Sequence, residues 1–368
     1  MRILIVSHAP LLPEFGAGQM AINLTEVFKK QGHEVVLWSP HPLSSQVKWW
    51  QKIQTMRLNL DNFVREQSPF DIIDCPALLI TKNLSKSSAV VARSVQPDLL
   101  YLFYSLRFSC QGCYNIIKSL ADIIHAVYKA LIIIQGWHRA KYIFCLGSIE
   151  FQWMKKWFPW WKNKLFYYVN ALSKSDRQNL AKIREQRQST DDTLKFLWIG
   201  RWEKHKGNDT LVNFIHSWTK THQQDTFTIA GCASDISQYF SQELIDSGQL
   251  NIIPLFNRSQ LYQLLKEHNI GLFTSKVEGW GLVLNEMLES GMPVFATSAG
   301  GFKDLKPFVS DKLHFFPPTS LSVTNAINSN IDLDKYYEVF TWEKIARVYT
   351  SLILNKIDFY AHRILQYD

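Results

Sequence analysis

The sequence predicts two α/β domains, each a mostly parallel sheet with helices on both faces. Three observations carry this. The chain has 368 residues, and at roughly 150 residues per domain that length suggests two domains. Short apolar runs alternate with stretches of helical spacing through both halves, the pattern of parallel sheets buried on each side. A polar segment, Ser173 to Thr193, separates the halves and reads as a linker. The domains are therefore expected over 1–175 and 190–340.

In the first half, Arg2–Ser7 reads as a buried strand and Ala17–Gln31 as a helix, with Met20, Ile22, Leu24, Val27 and Phe28 on its apolar stripe. Gly32 stands where a helix C-terminal glycine belongs. Glu34–Trp38 is a second strand, and Ile72–Asp74, Ala89–Arg93 and Tyr142–Leu146 are further strands, with a helical stretch from Tyr114 to Gln135. The second half begins with a strand at Leu194–Ile199. The pattern continues with helix Asp209–Thr219, strand Thr226–Ala230, helix Ser237–Asp246, strand Asn251–Pro254 and helix Gln260–His268. Strand Ile270–Thr274, helix Leu282–Ser290 and strand Pro293–Ala296 follow.

Hydrophobic residues make up 46% of the chain and charged residues 20%, a mix that excludes disorder as the main state. Lys and Arg exceed Asp and Glu by 40 to 32, a formal charge of +8 that favours anionic ligands. The basic residues are dispersed and match no nucleic-acid reader motif, so nucleic acid is not an expected partner. No leader is evident, the longest apolar runs are broken by Lys129 and Gln135, and the five cysteines are scattered. The expectation is a chain without a spanning helix, in a reducing, cytoplasmic compartment.

Two segments carry chemistry. Ser275-Lys-Val-Glu278-Gly279-Trp280-Gly281-Leu282-Val-Leu-Asn-Glu286 lies where a strand hands over to a helix. Gly279 and Gly281 let backbone approach a ligand at a helix start, where amides suit a diphosphate. Glu286, just over one turn into the helix, can accept from a vicinal diol such as a ribose, and Glu278 can reach hydroxyls on the other side of the phosphates. Gly200-Arg201-Trp-Glu-Lys-His-Lys206-Gly207 follows the first strand of the same half, with a guanidinium that can fork onto phosphate oxygens and an ammonium beside it. The plain alternative is a pair of ordinary strand-end turns.

With these residues the chain resembles the retaining nucleotide-sugar glycosyltransferases of the GT-B fold, family 4 or "group 1": two Rossmann-like β/α/β domains facing each other across a cleft. The likeness extends to the loop Gly16-Ala17-Gly18 and to a closing helix beginning Thr341-Trp342-Glu343-Lys344. The resemblance implies that Arg201 and Lys206 bind the donor diphosphate, that Glu286 takes the ribose, and that Glu278 with the amides of Gly279, Trp280, Gly281 and Leu282 holds the sugar and distal phosphate. It implies that Gly16, Ala17 and Gly18 close on the donor from the other domain, that Gly200 is among the donor-binding residues, and that the helix over 341–368 crosses back to the first domain. It further implies a retaining transfer of a hexose, best assigned as glucose from UDP-glucose, to a saccharide or lipid-linked saccharide, without a cofactor or metal. One departure is that members carrying a His shortly after the strand resembling Val90–Ser94 have no counterpart here, where Val95-Gln96-Pro97 follows. The competing reading is a non-catalytic nucleotide- or sugar-binding protein on the same fold.

Other motifs read as structural. Gly16-Ala-Gly18-Gln-Met-Ala21 matches a dinucleotide fingerprint, but eight residues separate it from its strand and the second strand ends without a carboxylate. Cys110-Gln-Gly-Cys113 lacks a second ligand pair, and Asp332-Leu-Asp334 sits in an Asn/Ser-rich turn. The stretch from Phe151 to Lys164 interleaves Trp153, Trp157, Trp160 and Trp161 with Lys155, Lys156, Lys162 and Lys164. It is either a helix packed on the first domain or a surface for peripheral contact with anionic membrane.

Overall fold

The structure is a computed structural model that describes the chain except residues 13–15, 49, 112–115, 188–192, 330 and 354–368, and gives only the backbone at 107–111 and 116–119. The chain divides into two compact units, one made of residues 1–170 with 339–368 and the other of 171–338.

In the first unit the chain runs β1 (Arg2–Val6), α1 (Gly16–Lys30), β2 (Glu34–Trp38), α2 (Lys52–Gln67), β3 (Ile72–Cys75), α3 (Leu84–Ser87), β4 (Ala89–Arg93), α4 (Asp98–Gln111), α5 (Ile116–Arg139), β5 (Tyr142–Leu146), α6 (Gly147–Trp157) and β6 (Leu165–Tyr168). The described strands form one parallel sheet in the order β2-β1-β3-β4-β5-β6. Successive residues Ile3, Leu4, Ile5 and Val6 are all buried, because both faces of β1 are covered. Each such side chain contributes about 1.5–3 kcal/mol.

The second unit runs α7 (Lys174–Gln186), β7 (Lys195–Ile199), α8 (Asn208–Thr219), β8 (Thr226–Ala230), α9 (Gln242–Asp246), β9 (Leu250–Ile253), α10 (Arg258–Glu267), β10 (Ile270–Phe273), α11 (Leu282–Glu289), β11 (Val294–Ala296), α12 (Phe302–Leu305), β12 (Leu313–Phe315), α13 (Ser320–Asn328) and α14 (Asp334–Val339). Its parallel sheet has the order β12-β11-β10-β7-β8-β9. The last described helix, α15 (Trp342–Ile353), belongs to the first unit. There its Tyr349 stacks on Phe144 at 4.4 Å and donates its hydroxyl to Asp74. Asp74 is also paired with Arg93, both side chains being almost fully buried. Burial raises the Asp74 carboxyl above its usual range even though Arg93 opposes it.

Three expectations need correction. The polar segment from Ser173 is not a linker but carries α7, whose Leu180 and Ile183 are buried. Its basic residues are used inside the second unit: Arg184 donates to the Glu289 carbonyl (2.6 Å), and Arg187 to those of Leu265 (2.6 Å) and His268 (2.8 Å), satisfying acceptors at the ends of α10 and α11. Polarity there comes from the solvated face of a packed helix and from arginines that bond to distant carbonyls. The expectation of no spanning segment also fails on composition, since Leu120–Arg139 in α5 is long and apolar enough to cross a membrane. Leu120, Ile124, Val127 and Leu131 are exposed along one stripe of it. Finally, the tryptophan cluster divides. Trp161 is buried against Trp137 and stacked on Phe158, and Trp153 packs on the same core, whereas Trp157 and Trp160 are 56% and 68% exposed.

Candidate functional site

In the second unit β7 and β10 are neighbours, and the chain proceeds from β7 toward β8 on one side and from β10 toward β11 on the other. That reversal of strand order is the place where an open parallel sheet leaves a crevice at its carboxyl end. Both chemistry-bearing segments fall on it. Gly200–Gly207 leaves β7, and Ser275–Gly281 leaves β10.

The two loops are tied together by backbone. Lys276 N–H donates to the His205 carbonyl (2.7 Å), and the Thr274 hydroxyl donates to the Lys206 carbonyl (2.8 Å). Thr274 in turn accepts from the Trp198 indole of β7 (3.0 Å). These bonds bring Lys206 Nζ onto the Glu278 carboxylate, which also accepts from the Ser275 hydroxyl (3.3 Å). Burial opposes ionisation of Glu278, but Lys206 outweighs it and holds the carboxyl below its ordinary pKa. Arg201 is not part of this pair. It is 66% exposed and bonded at 2.7 Å to Glu203, whose other oxygen meets His205 at 3.1 Å.

Gly281 is the N-cap of α11, with φ 83° and ψ 68°. A Cβ there would come within 2.7 Å of the Phe273 ring, so both the backbone conformation and the space require glycine. The first turn of α11 follows directly, its Leu284 N–H bonded to the Gly281 carbonyl (2.8 Å), with the Leu282 and Val283 amides ahead of it in the chain. Leu282 is half-buried. Trp280, expected among the donor contacts, turns its ring inward and is 2% exposed. Its indole N–H donates to Asn285 (2.7 Å), Asn285 donates to Tyr336 of α14 (2.6 Å), and Tyr336 donates to Glu289 (2.9 Å). Trp280 therefore braces the loop from behind, and only its backbone can face a ligand.

Glu286 is buried one turn into α11. Its Oε1 accepts from Arg258 Nη1 at 2.5 Å, and the same guanidinium meets Asp176 of α7 at 2.9 Å. Asp176 also accepts from the Tyr262 hydroxyl (2.5 Å). Burial raises the Glu286 carboxyl above its ordinary pKa, with Arg258 acting against the rise. Arg258, Asp176 and Tyr262 escaped the sequence reading, which began this helix at Gln260. The available signal was Asn257 three residues before Gln260, a capping box that makes Arg258 the first helical residue.

The remaining sequence candidates lie elsewhere. Gly16 and Ala17 form the first turn of α1 and not a loop, and Gly18 is buried where a Cβ would meet the backbone of Pro10 and Leu12. His8, not a sequence candidate, follows β1, and burial first, then the charges of Arg93 and His41, lower its pKa to about 4. The Asp332 carboxylate accepts from the Asp334 amide (2.9 Å), making the turn into α14. Cys113 and the side chain of Cys110 lie outside the described residues. Among those described, no group of three or more His, Cys, Asp or Glu could hold a metal ion.

Residues 180–344, which span both loops and Glu286, match the family model for glycosyl transferases group 1. That match covers most of the second unit and less than half of the chain. An uncharacterized 41.2 kDa protein from the cps region of Klebsiella pneumoniae is 27% identical over 154 residues, which is 41% of this chain and 40% of that relative's length. The match to that curated relative therefore spans less than half of it. Among solved structures, sucrose-phosphate synthase from Thermosynechococcus elongatus is similar with a TM-score of 0.67 and 14% identity, over 98% of this chain and 99% of that one. Anabaena HepE, solved in complex with UDP and glucose, has a TM-score of 0.53 and 16% identity, over 96% of this chain and 95% of that one. At these identities the likeness is one of fold, the two-domain Rossmann-like GT-B architecture.

Proposed function

We propose that the protein is a retaining glycosyltransferase that moves a hexose, glucose from UDP-glucose, onto a saccharide or lipid-linked saccharide in polysaccharide or glycoconjugate synthesis. The observation that carries the reading is the meeting of Lys206, Glu278 and the α11 N-terminus at the strand-order reversal between β7 and β10. A donor diphosphate placed there would take charge-assisted bonds from Lys206 and the α11 amides, while Arg201, exposed and paired with Glu203, would swing onto phosphate oxygens. Negative charge grows on the diphosphate as the glycosidic bond breaks, so these cations act more strongly in the transition state than on the bound donor. Glu278, ionised beside Lys206, would accept from sugar hydroxyls, and Glu286 from the ribose diol. This positive charge lets the reaction run without a divalent metal.

Retention of configuration follows from the group 1 resemblance. Glucose as the sugar and UDP as the nucleotide are supported by Anabaena HepE, which binds UDP and glucose on the same fold. A saccharide acceptor likewise follows from the group 1 resemblance. Peripheral contact with the cytoplasmic membrane face belongs to the same reading, supported by exposed Trp157 and Trp160 beside Lys155, Lys156 and Lys162, and by the apolar stripe of α5. Calorimetric titration with UDP tests the donor site. Glu286→Ala is expected to weaken binding by about 1.5–3 kcal/mol, the worth of hydrogen bonds to a charged group. Wild-type affinity in a folded variant would remove Glu286 from the site.

A further inference from the structure

We infer that Arg258 is a positioning residue for the donor site, holding Glu286 ionised and oriented for the ribose by forking between it and Asp176. The inference rests on the reading of Glu286 as the ribose acceptor. It adds a residue from a different helix, separated from Glu286 by 28 positions.

The geometry is specific. Arg258 is the first residue of α10, fixed there by the Asn257–Gln260 capping box. Its guanidinium reaches α11 through Nη1 to Glu286 (2.5 Å) and α7 through Nε and Nη2 to Asp176 (3.1 and 2.9 Å). Asp176 is held in turn by Tyr262 (2.5 Å) and Ser173 (2.7 Å), so the arginine is anchored on the side away from Glu286. A planar five-donor guanidinium can serve two carboxylates at once, which an ammonium cannot do in the same geometry. The Glu286 side chain is 5% exposed, whereas 35% of the Arg258 side chain reaches solvent.

The charged groups acting on Glu286 are Arg258 from α10, which favours its ionised form, and Asp176 from α7, which opposes it. Tyr262 acts on it through Asp176, and on the same face Arg177 and Tyr337 are engaged with Glu289. Burial already lifts the Glu286 carboxyl above its ordinary pKa with the arginine in place. Without that cation the carboxyl would rise further and take up a proton more readily, losing the acceptor capacity that a diol needs. The consequence is a ratio of variant to wild-type affinity that depends on pH.

The test titrates UDP into the wild type, Arg258→Met, Arg258→Lys and Glu286→Ala at several pH values from 7 to 9. The variant-to-wild-type ratio is read at each, so that the proton equilibrium of UDP itself cancels. Arg258→Met is expected to bind about 10-fold or more weakly at pH 7 and to recover to within about 3-fold by pH 9, as Glu286 ionises. Arg258→Lys, which keeps the charge, should lose less and show little pH dependence. A loss in Arg258→Met that is equal at every pH, or no loss at pH 7, overturns the inference. If Arg258→Met fails to fold, an Arg258→Lys affinity as weak as that of Glu286→Ala and flat in pH overturns it equally. An unchanged affinity in Glu286→Ala would mean that the donor reading itself is wrong, and Arg258 would fall with it.

Discussion

Replacing Lys206 by methionine removes the cation from Glu278 while keeping most of the aliphatic volume. The two side chains are only 20% and 17% exposed, so the pair lies between a surface ion pair and a buried one. Breaking a buried pair costs about 3–5 kcal/mol because the remaining charge is stranded, and a surface pair is worth about 0–1 kcal/mol. The intermediate burial places the cost near 2–3 kcal/mol at pH 7, a fall of about 5–10 °C in the melting temperature of a domain this size. The sign with pH follows from the depressed Glu278 carboxyl. Its contribution is complete above the ordinary carboxylate range and fades as pH falls through the depressed folded value. In the variant, burial would instead raise that carboxyl, so wild type and variant should draw together in stability as pH falls through the carboxylate range. Denaturant unfolding at pH 7 and pH 4 measures this. An equal cost at both values would show that Lys206 stabilises by packing, and the electrostatic account of the pair would be wrong.

Gly281→Ala should destabilise the second unit by about 2–3 kcal/mol, the sum of a left-handed backbone penalty and a clash with Phe273, and unfolding that matches wild type would disprove the turn geometry. Trp160→Ser should weaken salt-sensitive co-sedimentation with anionic vesicles while leaving stability intact, whereas Trp161→Ser should lower stability by about 3–5 kcal/mol. Absence of wild-type pelleting at low salt would refute the membrane reading. Activity is expected to persist in excess chelator, and loss that magnesium or manganese restores would require a metal in the reaction.

The site segments were legible because their signals are local. A glycine after a strand with a basic residue six positions on, and a Gly-x-Gly with one glutamate directly before it and another five residues after it, can each be read within a dozen residues. Partners supplied across the fold cannot. Arg258 reaches Asp176 over 82 positions, and Tyr336 reaches Glu289 over 47, so neither side chain announces its role in its own neighbourhood. The short edge strands β6 and β12 escaped for a similar reason, since Leu165–Tyr168 follows directly on the aromatic and basic stretch and carries no turn residues of its own. The polarity of α7 misled because arginines that cap distant carbonyls have the same composition as arginines in a solvated linker. Adjacent Trp160 and Trp161 show the limit most sharply, one at the surface and the other in the core.

The most direct test of the account is steady-state release of UDP from UDP-glucose by the wild type and by Lys206→Ala. The account predicts measurable release by the wild type and a fall in kcat of about 100-fold or more in the variant, the usual effect of removing one group that stabilises developing charge, with KM changed far less. No release from a protein that binds UDP tightly, or a variant altered in KM alone, would contradict it and leave a nucleotide-binding protein on a glycosyltransferase fold.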